Sequence, residues 1–390
     1  MLWKHRTVSA LILMTFNLLA CWPVHSAWAT ADMLNDSWTA YKGRFIQGDG
    51  RVIDLKAEGV STSEGQSYAM LRAVWVGDQQ SFDRILEWSI NNLINNARPD
   101  SLFAWKWGKR DNNSWGVLDS ATASDADEDT AFALLLATDR WRDKKYEERA
   151  QTMLADLWNK ETLESNGRRY LAAGDGEREG VLVRINPSYF SPLEYRFFAQ
   201  RDESHNWQSL IDPGYDMVEK TSSVSPVKLP PNWAYLDPKS GVISVPDSLT
   251  SQLGDYSYDA IRVFWRVALD YRHTKDQRAY NYLSQHTEWL SRYWSIRKQW
   301  PAELTNDGVP RVDFETLEAY AAVLPAMEIS KPGIAQQIYE TKLQPNYHDG
   351  LWVRPNTDDA YRYYAQNIVW FGLAVYRDTL PLRVNLKNAS

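Results

Sequence analysis

A single cysteine, Cys21, stands in a chain of 390 residues, so neither a disulfide framework nor a set of thiolate metal ligands is open to it. The six histidines form no His-x-x-x-His pair, and no metal is expected. A basic stripe is missing too: 43 Lys and Arg stand against 50 Asp and Glu, for a formal net charge of −7, which argues against nucleic acid as a partner. There is no Gly-x-Ser-x-Gly elbow and no Walker-type phosphate loop, so serine-hydrolase chemistry, nucleotide chemistry and a bound cofactor all lack support. Beyond the N-terminal region no stretch reaches about 18 consecutive apolar residues, so no integral membrane segment is expected in the mature chain. What is abundant is aromatic. The 19 Trp and 21 Tyr supply flat apolar faces with polar edges, the surface on which a flat, hydroxylated ligand stacks.

The first 29 residues read as a secretory signal peptide. Lys4 and Arg6 precede an apolar run from Val8 to Ala20, and Ala27-Trp28-Ala29 has the small-x-small form of a cleavage site. Cleavage near Ala29 removes Lys4 and Arg6 and no acid, taking the formal charge from −7 to −9, and it removes Cys21. A periplasmic or secreted location follows. The alternative is lipoprotein processing at Cys21, after Leu18-Leu19-Ala20, a box that the leucine before Ala20 fits poorly.

The rest of the chain, residues 30–390, reads as one domain of paired helices. Apolar residues recur at helical spacing over 64–96, which predicts two helices joined by a turn, and then over 125–142, 146–158, 188–201, 204–220, 256–272, 277–296, 313–328, 332–341 and 358–377. That makes roughly eleven helices. Between them lie loops rich in Gly, Pro, Asn and Ser at 106–122, 171–187, 221–254 and 343–357. Long loops on a helical scaffold commonly build a site.

Three carboxylates sit at predicted helix starts. Glu64 lies in Ser61-Thr62-Ser63-Glu64-Gly65-Gln66-Ser67-Tyr68, and its bland reading is strong: Ser61 to Glu64 has capping-box spacing, in which the acid only satisfies a backbone N–H. Asp125 opens Asp125-Ala126-Asp127-Glu128-Asp129, which reads equally well as an acidic first turn. Asp259, three residues before Arg262, has the spacing of a surface ion pair. Taken together these bland readings weaken. If the helices alternate in and out around a barrel, the inner helices start on one face and the three acids converge there.

Ala123-Ser124-Asp125-Ala126-Asp127, with Ala131, Ala133, Leu134, Leu135, Ala137 and Trp141 behind it, resembles the signature of glycoside hydrolase family 8. Ser63 to Tyr68 and Tyr258-Asp259-Ala260-Ile261-Arg262 are similar to its other two catalytic segments, and Ala104-Trp105 and Ile185-Asn186-Pro187-Ser188-Tyr189-Phe190 extend the match in the same order. Thr130 departs from the Ile or Met usual in the signature. The segment from Leu102 to Lys109 looks most like the branch of the family encoded with bacterial cellulose synthases, which implies a cellulose synthase complex as a further partner.

The resemblance implies an all-α (α/α)6 barrel, six inner and six outer helices, with an open cleft that hydrolyses a β-1,4-glucan chain, cellulose or a cello-oligosaccharide, with inversion. Inversion needs one carboxylic acid to protonate the leaving oxygen and one carboxylate to activate a water on the opposite face. Glu64 is the expected general acid and Asp259 the expected base. Asp125 is expected to distort the bound sugar, or in the alternative reading to serve as nucleophile or base. Trp105, Tyr189, Tyr258, Arg262 and Tyr364 are the expected substrate contacts, with Trp107, Trp233, Tyr235 and Tyr363 as further stacking candidates. A helix start lowers the pKa of an acid, whereas a general acid must hold its proton, so burial and repulsion from Asp125 must oppose the helix dipole at Glu64. Three rival readings remain. The substrate could be xylan, mixed-linkage glucan or chitosan; Asp125, Asp127 and Asp129 could hold Mg²⁺ and a diphosphate; or the aromatics could bind carbohydrate without turnover.

Overall fold

Two kinds of helix alternate along the chain. The computed structural model describes residues 24–95 and 97–380, with the backbone alone at 24–31, 178 and 179. In order the helices are α1 (Val24–Phe45), α2 (Ser63–Val76), α3 (Gln79–Ser89), α4 (Ser124–Trp141), α5 (Lys144–Glu161), α6 (Pro192–Phe198), α7 (Ile211–Ser223), α8 (Arg262–Thr274), α9 (Gln277–His286), α10 (Glu288–Arg297), α11 (Leu317–Ser330), α12 (Pro332–Ile338) and α13 (Tyr363–Tyr376). In α2, α4, α6, α8, α11 and α13 nearly every residue is buried apart from the last turn of α4, α8 and α11, whereas the helices between them bury one stripe. Helix α3 is typical of the second kind: Phe82, Ile85 and Leu86 face inward, while Gln80, Arg84 and Glu87 are exposed. A helix apolar on all sides must lie inside, and one with a single apolar stripe must cover it.

The six inner helices form a closed ring. Each packs on the next, α2 on α4, α4 on α6, α6 on α8, α8 on α11, α11 on α13, and α13 back on α2. This is an (α/α)6 barrel. Small residues let the inner helices approach closely; a Cβ on Gly372 of α13 would fall 2.0 Å from the Ala321 carbonyl oxygen of α11. Closure is also polar. Buried Arg72 of α2 donates to Asn367 Oδ1 of α13 at 3.1 Å, and Trp75 stacks on Trp370 with ring centroids 5.5 Å apart.

The helix expectations over 64–96, 125–142 and 146–158 correspond to α2 with α3, to α4 and to α5. The span 277–296 breaks into α9 and α10 at Thr287, whose hydroxyl turns back to the Leu283 carbonyl at 2.6 Å. The span 256–272 starts later than expected, because residues 258–261 form turns and α8 begins only at Arg262. The expected loops carry short strands: β1 (Ser61–Thr62), β2 (Lys106–Lys109) and β3 (Trp115–Asp119) form one antiparallel sheet on the cleft side. β4 (Thr162–Ser165) pairs with β5 (Arg168–Leu171), and β6 (Arg178–Glu179), β7 (Leu182–Ile185), β8 (Ala234–Leu236) and β9 (Ile243–Ser244) form a sheet of four. β10 (Tyr347–His348) pairs with β11 (Leu351–Trp352). Strands of two to five residues are too short to show the alternation that marks a strand in sequence.

Most of the expected leader, residues 1–23 with Cys21, lies outside the described residues, and α1 runs from Val24 through Ala29. Among the described residues no helix is long and apolar enough to cross a membrane.

Candidate active site

Glu64 is the second residue of α2, and the helix is capped without it. The Thr62 side chain, not that of Ser61, accepts from the Gly65 N–H at 3.0 Å, while the Ser61 hydroxyl is drawn away to the Val52 carbonyl at 2.6 Å. The Glu64 carboxylate is therefore free to turn into the barrel mouth. There its Oε2 accepts from Arg262 Nη1 at 3.0 Å and its Oε1 from the Tyr363 hydroxyl at 3.1 Å. The capping-box reading of this acid is overturned.

Arg262 gathers all three acids. Besides Glu64, its Nη1 reaches Asp125 Oδ2 at 2.8 Å and the Tyr68 hydroxyl at 3.0 Å, and its Nη2 reaches Asp259 Oδ1 at 2.5 Å. The three carboxylates from the starts of α2 and α4 and from the turn before α8 thus meet on one guanidinium, as the common-face argument expects. Their exposures differ. The side chains of Glu64 and Asp259 are 22% and 32% exposed, and that of Asp125 is 2% exposed, with its Oδ1 also accepting from the Ala126 N–H at 2.9 Å. Two carboxyls open on the cleft and the third lies beneath them.

Burial pushes the Glu64 pKa up from its ordinary value to about 7, against the pull of Arg262; repulsion from Asp125 and Asp259 adds to the rise and the Tyr363 hydrogen bond opposes it. The conflict with the helix dipole is resolved in this way. Asp125 is likewise raised, chiefly by burial, with Arg262 and Arg266 opposing.

Tyr258, Asp259, Tyr363 and Tyr364 line a cleft cavity of about 280 Å³ with Asp54, Lys56 and Arg362. Tyr364 donates its hydroxyl to the Tyr258 carbonyl, and the Arg362 guanidinium lies 5.6 Å from the Tyr258 ring centroid. Trp105 is half-buried, and its backbone is fixed by the Ser63 N–H donating to its carbonyl at 3.0 Å, one residue from Glu64. Tyr189 is 7% exposed and lies against Arg262 and Trp233. Arg262 itself departs from expectation. At 1% exposure it cannot be a direct sugar contact; it organises the acids instead. Sequence reasoning passed over Tyr68, Asp54, Lys56 and Arg362, none of which lies in a matched segment except Tyr68, whose hydroxyl gave no separate signal. Tyr363 was marked only as a stacking candidate.

The acids behind Asp125 do not form a cation site. Asp129 makes a two-point pair with Arg266 at 2.9 and 3.0 Å, Glu128 lies beside Tyr195, and Asp127 accepts from the Phe103 N–H at 3.0 Å. Each points to a different partner, which removes the diphosphate reading; among the described residues no group of His, Cys, Asp and Glu could hold a metal. Asp125 and Asp127 do lie in the first turn of α4, but Asp127, Glu128 and Asp129 are fully buried.

Asp127 also meets Glu161 of α5, a second buried acid whose Oε1 accepts from the Thr122 hydroxyl. Burial raises both, Glu161 to about 8. A carboxyl whose folded-state pKa exceeds its unfolded value stabilises the protein most below the unfolded value, and that stability is lost as pH rises toward the folded one. Glu161 should therefore make stability fall from about pH 4.5 to about pH 8, by at most about 1.4 kcal/mol per pH unit. Glu161→Gln should flatten this slope in chemical denaturation run across that range; an unchanged slope would show that the pair does not share a proton.

A helical barrel with two cleft-facing carboxyls on a third, buried one, flanked by tyrosines, defines a glycoside hydrolase. The chain belongs to Glycosyl hydrolases family 8, whose model matches residues 10–377. It is similar to an endoglucanase of Escherichia coli (strain K12), 33% identical over 261 residues that cover 66% of this chain and 67% of that one. Among solved structures it resembles the endo-1,4-D-glucanase of Vibrio fischeri ES114, at 25% identity and a TM-score of 0.73, covering 88% of this chain and 94% of that one. The fold also matches a β-1,3-1,4-glucanase from Paenibacillus sp. X4 at 20% identity and a TM-score of 0.75, covering 90% and 92% of the two chains.

Proposed function

We propose that the protein is an endo-acting β-1,4-glucanase that cleaves cellulose-type chains with inversion, with Glu64 as general acid and Asp259 as general base. The observation that carries the reading is the division of labour around Arg262. Glu64 holds a proton near neutrality because it is largely buried, while Asp259, ion-paired and more open, is placed to take one from water. Asp125 has both oxygens engaged and 2% exposure, which disfavours it as nucleophile or base. In this reading it anchors Arg262 and forms the floor beneath the distorted sugar. Trp105, Tyr258 and Tyr364 present ring surface to the glucan, and Tyr189 closes the floor beside Arg262. The endoglucanase relatives support the substrate class.

The place of work proposed is outside the cytoplasm, periplasmic or secreted, after cleavage near Ala29, and the synthesis of bacterial cellulose is the process it would accompany. The stereochemical course tests the scheme. Proton NMR during early hydrolysis of a β-linked glucan should show the α-anomer first; appearance of the β-anomer first would make Asp259 or Asp125 a nucleophile and overturn the inverting scheme.

A further inference from the structure

A second aromatic surface lies outside the cleft. Residues Lys106–Lys109 and Trp115–Asp119 form a hairpin in which Trp107 is paired with Val117 and Lys109 with Trp115, so that Trp107 and Trp115 are diagonal neighbours on one face. Their rings stack at 25° with centroids 5.3 Å apart. Behind them Trp88 of α3 packs edge-on to Trp107, again at 5.3 Å. The Arg51 guanidinium lies 4.2 Å from the Trp107 ring and 4.6 Å from that of Trp115, and it is itself buried and tied to the Ser61 hydroxyl at 2.8 Å and to the Gly59 carbonyl. The aromatic surface is thus held rigid from beneath.

Two features go beyond what hairpin stability requires. Trp115 is 46% exposed, and among the described tryptophans it alone is exposed. Beside Trp107 opens a hollow of about 500 Å³ whose far wall is the polar end of α3, with Arg84 and Glu87, and the turn just beyond it, with Asn91 and Asn92. Asp49 completes it, so that two arginines face two carboxylates and the site as a whole is neutral. Amides and balanced charges around flat rings suit an uncharged polyhydroxylated chain and not an anion or an acidic peptide. The hollow and the cleft cavity have no lining residue in common, yet Trp107 follows Trp105, whose carbonyl is held by Ser63 beside Glu64, by only two residues.

We propose that Trp115, Trp107 and the polar end of α3 form a second binding site for a β-glucan chain, on the outer side of the cleft rim, that holds polymer while the cleft cuts. The proposal rests on the glucanase reading above for its ligand. The platform serves long or insoluble chains, which hold to it outside the cleft, and a short oligosaccharide bound in the cleft does not depend on it.

The test compares Trp115→Ala, Trp115→Tyr and Asn91→Ala with the parent. Partition onto insoluble cellulose is measured in a Glu64→Gln background so that the polymer persists, and kcat/KM on cellopentaose is measured in the active enzyme. Trp115→Ala and Asn91→Ala should each weaken partition, the first by about 5-fold, as expected for loss of stacking worth on the order of 1 kcal/mol. Trp115→Tyr should restore most of it. Cellopentaose turnover and the thermal midpoint should stay within two-fold and within about two degrees of the parent. Unchanged partition for Trp115→Ala overturns the platform. Equal losses on cellopentaose and cellulose also overturn it, because they place Trp115 in the cleft. A parent that partitions onto cellulose but hydrolyses no glucan sinks the glucanase reading and leaves the platform standing.

Discussion

Glu64→Gln is expected to fold and to bind oligosaccharide while losing turnover on an unactivated glucan by about two or more orders of magnitude. The amide matches the carboxyl in shape, keeps its carbonyl oxygen as an acceptor for Arg262 and turns its NH2 to the Tyr363 hydroxyl oxygen, but it has no labile proton for the leaving oxygen. Because Thr62 and not Glu64 caps α2, the substitution leaves the helix start intact and the thermal midpoint near that of the parent. The parent should also lose kcat/KM as pH rises through about 7, where burial has placed the Glu64 proton. Reducing-end release and melting measured on one preparation decide the matter: activity within a few-fold of the parent would remove Glu64 from the chemistry.

Arg262→Met is expected to cost about 3–5 kcal/mol at pH 7, the range for removing one partner from a buried ion pair. The side chain is 1% exposed and its loss would leave Glu64, Asp125 and Asp259 facing one another with no cation among them. The sign of the pH dependence follows. Without the arginine Glu64 and Asp125 rise further above their unfolded values, so the folded state takes up protons and the deficit shrinks on acidification. Denaturation at pH 7 and pH 5 should show the smaller deficit at pH 5. An equal deficit at both would mean that lost packing and not charge dominates. Activity should vanish at either pH.

The parts legible in the sequence were those set by local rules. The acids at 64 and 125 precede long apolar periodicities, and the step from those patterns to an alternating barrel, and from alternation to a shared face, is geometric. The order of segments through Tyr189 and Arg262 supplied the family. What stayed hidden depends on contacts across the ring. Arg262 read from its spacing as half of a surface ion pair and, through the resemblance, as a sugar contact; only closure of α2, α4 and α8 shows it buried among three carboxylates. The acidic run from Asp127 to Asp129 read only as an acidic first turn or a cation site, since Arg266, Tyr195 and Glu161 reach it from 34 to 137 positions away in sequence. Tyr363 touches Glu64 across 299 positions, a separation no periodicity reports. The helix break at Thr287 and the hairpin strands were missed because they rest on single hydrogen bonds and two to five residues.

The closure of α13 on α2 also fixes when the molecule can exist. The partners of Arg72 and Trp75, Asn367 and Trp370, are separated from them by 295 positions. A ring whose first and last staves touch is complete only when the last arrives; until then Arg72 has only its partners on α1, and Trp75 lacks the indole it stacks on. Long sequence separation between contacting residues slows folding. The nascent chain is thus an open arc throughout its synthesis, and assembly of the cleft, whose Glu64 is held from one side by Tyr363 of that last helix, is among the latest events in its life.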